Sequence, residues 1–195
     1  METEYEATFL NVDKEKVREI LKNTGAKLIK PEFMQKRVVF NLPWGYDGQT
    51  WARVRDEQDK ITMTYKKISG NKIEDQKEIN LLIDNFEKGE EFLKTLGCKE
   101  KAYQETKREL WKLDNVEICI DTWPFLEPFV EVEGKSENEV KNVSEKLGFD
   151  YSKALFCAVS SIYNMKYNIS CEVIDNEISK ITFDMENPFL AYKNN

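Results

Sequence analysis

Two Glu-x-Glu pairs, Glu4 with Glu6 and Glu131 with Glu133, stand near opposite ends of this 195-residue chain, each inside a segment that alternates apolar and polar residues. A period of two is the mark of a β-strand whose faces meet different surroundings, and it sends both carboxylates of a pair to the same face. Between them, Trp51-Ala52-Arg53-Val54-Arg55 alternates in the same way with the opposite charge, and Thr64-Tyr65-Lys66-Lys67 follows. Paired carboxylates suit a hard cation and paired arginines suit an oxyanion. Together they imply a site for a metal-bound polyphosphate.

The length favours one domain, spanning residues 1–195, with a core that needs no disulfide or metal staple. A net charge of -7 argues against a broad nucleic-acid-binding surface, which needs clustered excess Lys and Arg. Any bound anion must therefore be met by a local positive site. Cys98, Cys119, Cys157 and Cys171 have neither zinc-site spacing nor the density of a secreted disulfide scaffold, so reduced thiols and a cytoplasmic location are expected. The acidic start Met1-Glu2-Thr3-Glu4 does not resemble a signal peptide, and no apolar run is long enough to suggest a membrane span. With no histidine in the chain, Ser-His and Cys-His nucleophile schemes are excluded, leaving carboxylates, metal, Lys and Tyr for acid–base work.

Along the chain the patterning predicts strands at 3–10, 34–40, 50–56, 60–68, 72–82, 99–112, 115–121, 128–134 and about 178–183. Helices are predicted from Asp13 to near Gly25, from Asp84 to Leu96, from Ser136 to Leu147 and over 152–164. Many antiparallel strands with helices inserted at three places give an α+β fold whose sheet curves or closes on itself. In single strands, a charged face opposite an apolar one is ordinarily the side turned to water. Here, however, acid-only and arginine-only pairs occupy separate strands, whereas a solvated face mixes signs. If the charged faces turn inward, the result is a polar tunnel that requires a ligand.

In order along the chain, the motifs resemble those of the CYTH domains, or triphosphate tunnel metalloenzymes, which include class IV adenylyl cyclases and thiamine triphosphatases. Glu4-Tyr5-Glu6-Ala7-Thr8 resembles the N-terminal Glu-x-Glu-x-Lys signature, Arg53-Val54-Arg55 the Arg-x-Arg strand and Thr64-Tyr65-Lys66 the Thr-x-Lys strand. Lys107-Arg108-Glu109 resembles the central basic strand, Glu117 and Asp121 the acidic strand, and Phe129-Val130-Glu131-Val132-Glu133 the closing Phe-x-Glu-x-Glu. The resemblance implies an eight-stranded antiparallel β-barrel with a triphosphate tunnel and helices packed outside. It also implies metal-dependent hydrolysis of inorganic triphosphate or an organic triphosphate. The alternatives are a class IV adenylyl cyclase forming cyclic AMP and pyrophosphate, or a non-catalytic polyphosphate- or nucleotide-binding protein.

Residue types assign the roles. Arg53, Arg55 and Arg108 offer planar forks for phosphate oxygens and Lys66 a point charge, while Glu4, Glu6, Asp121, Glu131 and Glu133 suit Mg²⁺ or Mn²⁺. Glu4, Glu6, Arg53, Arg55 and Lys66 are the expected catalytic set, with charge that develops at phosphorus taken up by the cations. Glu78 and Glu117 are as apt for structural pairing as for the site. Thr8 and Thr106 stand where the family pattern has lysine, and Gln76 stands where it has an arginine before Glu78, so fewer cations are expected than in a typical member. Trp44, Trp51, Trp111 and Trp123 are read first as core or rim packing. The partners expected are a small-molecule triphosphate or nucleotide, with no nucleic acid and no membrane, in a monomer or homodimer.

Overall fold

A computed structural model describes residues 1–192. The strands are β1 (Glu2–Thr3), β2 (Tyr5–Phe9), β3 (Lys27–Asn41), β4 (Thr50–Asp56), β5 (Ile61–Ile68), β6 (Gln76–Ile83), β7 (Lys99–Leu113), β8 (Val116–Thr122), β9 (Phe129–Gly134) and β10 (Lys180–Ile181). The helices are α1 (Lys14–Asn23), α2 (Phe86–Thr95), α3 (Glu137–Lys146), α4 (Val159–Tyr167) and α5 (Cys171–Glu177). None of them is long and apolar enough to cross a membrane.

Hydrogen bonding links the strands in the order β1-β6-β5-β4-β3-β7-β8-β9-β2. The path begins and ends on one stretch of chain, because β1 and β2 are successive halves interrupted at Glu4. The sheet therefore closes into an antiparallel ring of eight strand positions, as the family resemblance implies. At the seam, the Glu4 amide donates to the Gln76 carbonyl at 3.0 Å, and the Gln76 side-chain amide donates to the Glu6 carbonyl at 2.8 Å. Gln76, fully buried, is thus a clasp between the first and sixth strands rather than a substitute for a tunnel cation.

Helix positions decide which face of each strand is inside. Capped at Asp13 and Ser136, α1 and α3 lay Val17, Leu21, Val140 and Val143 over Ala7, Ile118, Val130 and Val132. On the other flank, α2 sets Phe86 and Leu93 against Val38, Phe40, Ala52 and Val54. Both apolar clusters lie outside the barrel, so strand alternation turns the remaining, charged positions inward.

Some boundaries differ from expectation. The third strand starts at Lys27 rather than 34, because register shifts on either side of Lys30 accommodate Pro31, which has no amide to give the ladder. Residues 73–75 form a short 3-10 turn ahead of β6. The helix predicted over 152–164 is a 3-10 turn at Tyr151–Lys153, an extended stretch bridged to Thr8, and then α4. The last strand contracts to β10, which pairs parallel to β7 and is the exception to the antiparallel pattern. There Tyr163, Ile174, Ile181 and Phe189 form a third cluster with Trp123 and Phe129.

Candidate functional site

Inside the barrel is a cavity of about 270 Å³. Glu4, Glu6, Arg53, Arg55, Lys66, Arg108, Glu131 and Glu133 all line it, as do Glu78 and Glu117. Asp121 does not: it lies behind Arg108, almost wholly buried. Thr8 is buried too, its backbone paired in both directions with Leu155 at 3.0 Å.

The acidic wall is built by β2, β9 and β8, whose register sets Glu6 beside Glu133 and Glu133 beside Glu117. One carboxylate oxygen each from Glu4, Glu6 and Glu133 falls within a span of 4.8 Å. Lys66, across the seam on β5, places its ammonium 2.5 Å from Glu4 and 3.9 Å from Glu6. Burial, reinforced by the charges of Glu4 and Glu133, pushes Glu6 up to about 7 in spite of Lys66. Burial and the charge of Glu4 bring Glu133 to about 7 as well, although part of that residue is exposed. Burial acts the same way on Glu4, but Lys66 and Arg53 outweigh it and hold that carboxyl below its ordinary value.

The basic wall is β3 and β4, with Arg108 on β7. Arg108 lies in a fork with Asp121, Nε to Oδ1 at 2.8 Å and Nη2 to Oδ2 at 2.5 Å, and also reaches Glu131 at 2.5 Å. Arg55 pairs at 2.7 Å with the buried Glu57. Arg53 has only a 3.4 Å contact to the Thr64 hydroxyl, and burial together with Arg55 lowers it to about 10.

One cation on this wall is absent from the sequence-based set. Arg37, beside Arg55 in the β3–β4 register and 5% exposed, donates from Nη2 to the Gln35 side-chain Oε1 at 3.0 Å and to the Thr106 hydroxyl at 2.7 Å. Its guanidinium stacks 4.7 Å from the Trp123 ring. Burial, then repulsion from Arg53 and Arg55, pulls it well below the usual arginine value. Among the described residues, neither Arg37 nor Arg53 forms an ion pair, and the Nε of each has no partner. The signal was present: Gln35, Arg37 and Val39 alternate against Val38 and Phe40 just as Arg53 and Arg55 alternate against Ala52 and Val54. Glu57 continues that second alternation.

Of the tryptophans, Trp51 and Trp123 line the cavity, Trp111 is core and donates to Glu109, and Trp44 is exposed.

The model of the CYTH domain family matches residues 2–162. The chain belongs to the CYTH domain family. A candidate adenylate cyclase of Methanocaldococcus jannaschii is 34% identical over 163 residues, covering 80% of this chain and 90% of that protein. Among solved structures, a candidate adenylate cyclase of Vibrio parahaemolyticus shares the CYTH fold with a TM-score of 0.73 at 8% identity, over 84% of this chain and 98% of its own. A Hippeastrum protein, described as a candidate adenylyl cyclase with a dominant triphosphatase activity, shares it with a TM-score of 0.55 at 10% identity, over 87% and 99%. The CYTH match ends at Ile162, within α4, so α5 and β10 lie beyond it.

Proposed function

We propose that this CYTH protein binds a triphosphate with Mg²⁺ or Mn²⁺ in its barrel and hydrolyses it, releasing phosphate from inorganic triphosphate or an organic triphosphate. The observation that carries this reading is the separation of charge across one cavity: three carboxylates converge on one wall, and two arginines that form no ion pair among the described residues, Arg37 buried and Arg53 partly so, stand on the other. Unpaired buried guanidinium is unfavourable until an anion arrives.

The acidic wall fits a hard divalent cation. Its donors are carboxylate oxygens only, and burial together with their closeness makes Glu6 and Glu133 resist full ionisation without added positive charge. Glu4, Glu6 and Glu133 are the residues that would hold it. Such an ion supplies charge neutralisation and orientation for phosphate oxygens. Asp121 and Glu131, expected as ligands, are better read here as the groups that orient Arg108. Arg53 and Arg55 then bind and align the phosphate chain, while Lys66, drawn off Glu4, supplies a further charge for the oxygens. Pairing of β10 with β7 supports counting residues beyond the family match in the same domain.

A second reading, a cyclase, draws on the Methanocaldococcus relative's name and on Trp51, a half-buried ring at the cavity that could stack on a base. In that reaction the ribose 3′-oxygen bonds to the α-phosphorus, the α–β bridge breaks, and pyrophosphate leaves. A third, a binding protein without turnover, draws on Thr8 and Thr106 at positions of expected lysines. Incubation with tripolyphosphate, ATP or thiamine triphosphate plus Mg²⁺ or Mn²⁺ separates them. Orthophosphate supports hydrolysis, cyclic AMP supports cyclisation, and a raised melting temperature without product supports binding alone.

A further inference from the structure

Arg37 has the surroundings of a ligand-binding group rather than a structural one. A buried arginine that serves the fold ordinarily faces a carboxylate, and the acid with the strongest pull on Arg37, Asp121, is already held in two contacts by Arg108. What Arg37 does touch is neutral: the Gln35 side-chain Oε1, the Thr106 hydroxyl and the face of Trp123. The Thr106 hydroxyl in turn donates to the same Gln35 oxygen at 3.1 Å. Together these contacts fix one end of the guanidinium and its plane, leaving Nε with no acceptor. Arg37 lines the same cavity as Arg53, from the neighbouring strand, and among the described residues Arg53 likewise forms no ion pair.

The position of Thr106 explains why this arrangement is possible. Opposite Gln35 in the β3–β7 register, it is a site where a lysine would place an ammonium against Arg37. A threonine there supplies an acceptor instead, so the positive charge expected of β7 is carried by β3.

We propose that Arg37 is a fifth cationic ligand of the phosphate chain, positioned by Thr106 and Gln35, and that it acts beside Arg53 on the basic wall of the cavity. This rests on the triphosphate reading of the cavity and adds to it a residue that the sequence motifs do not mark. Charge is supplied where it is unsatisfied, so Arg37 destabilises the empty protein and strengthens the complex.

The test uses the full chain and sodium tripolyphosphate with Mg²⁺, read by calorimetric titration and by melting temperature, for wild type, Arg37→Met and Arg37→Lys. The expected result is that Arg37→Met weakens affinity on the order of tenfold to a hundredfold, the loss of one or two charge-assisted contacts, while the unliganded variant melts at or above the wild-type temperature. Arg37→Lys, which keeps the charge and loses the fork, should recover part of the affinity. A purely structural Arg37 predicts the reverse pattern, a lower melting point with wild-type affinity, and that pattern would overturn the proposal. A wild-type protein with no saturable binding of tripolyphosphate would overturn the reading of the cavity itself. Wild-type binding that Arg37→Met leaves intact overturns only the role of Arg37.

Discussion

The Lys66 ammonium lies 2.5 Å from Glu4 and 3.9 Å from Glu6, so the cation nearest the acidic wall neutralises the carboxylates that would receive a metal. Burial opposes the charge on Lys66, but Glu4, Glu6 and Glu78 raise its pKa above the usual lysine value. Glu4, Glu6 and Glu133 are the residues that would hold a divalent cation, whose charge would replace that of the ammonium and leave Lys66 available to phosphate oxygens.

Glu6→Gln removes one of the trio's charges and one hard donor. Affinity for Mg²⁺ or Mn²⁺ should fall on the order of tenfold or more, read by calorimetry, with no loss of fold because Glu6 is already reluctant to ionise. An unchanged metal titration would remove Glu6 from the metal site.

Stability without metal should fall as pH rises from 4.5 toward about 7. Both Glu6 and Glu133 hold their protons more tightly in the folded chain than in the unfolded one, so the folded state binds more protons across that window and each step up in pH favours unfolding. Added Mg²⁺ or Mn²⁺, which binds the deprotonated carboxylates, should flatten or reverse the slope. Melting curves at several pH values, with and without metal, check both arms.

Arg55→Ala should raise the Michaelis constant for triphosphate and also destabilise the protein, by about 1–3 kcal/mol, because it leaves the buried Glu57 with only the longer, half-exposed pair to Lys60. Adding Glu57→Gln should restore much of the stability and none of the affinity. Denaturation and steady-state kinetics on the single and double variants separate the two effects; recovery of both together would mean that Arg55 acts only through the fold.

Gln76→Leu removes the side-chain donor to the Glu6 carbonyl at the seam. The expected loss is about 1–3 kcal/mol, the cost of leaving a buried acceptor unmatched. Metal affinity should fall with it, since Glu4 and Glu6 hang on that joint. Full metal affinity in a destabilised Gln76→Leu protein would show that the seam does not position the carboxylates.

The barrel and much of its lining were legible because a period of two assigns every strand residue to one face, and outer helices with apolar stripes leave the charged face only the interior. Arg37 escaped because its face of the strand carries one cation between the neutral Gln35 and Val39 rather than a pair, and Lys36 beside it belongs to the other face. Nor could register be read from one strand alone: Asp121 alternates correctly toward the inside, yet its pairing opposite Arg108 puts it behind that guanidinium. Residues past 150 were harder still. Their turns and short helices are fixed by contact with Trp123, Phe129 and the edge of β7 rather than by local periodicity.

The break at Glu4 gives the cylinder a zip. The first strand changes neighbour there, from β6 to β9, and Glu4 and Glu6 flank the crossing while Glu133 faces it from the other side. An ion gripping all three would rivet the opening residues of the chain to the last rung of the ring, so that fraying of the amino terminus and loss of the metal become one event.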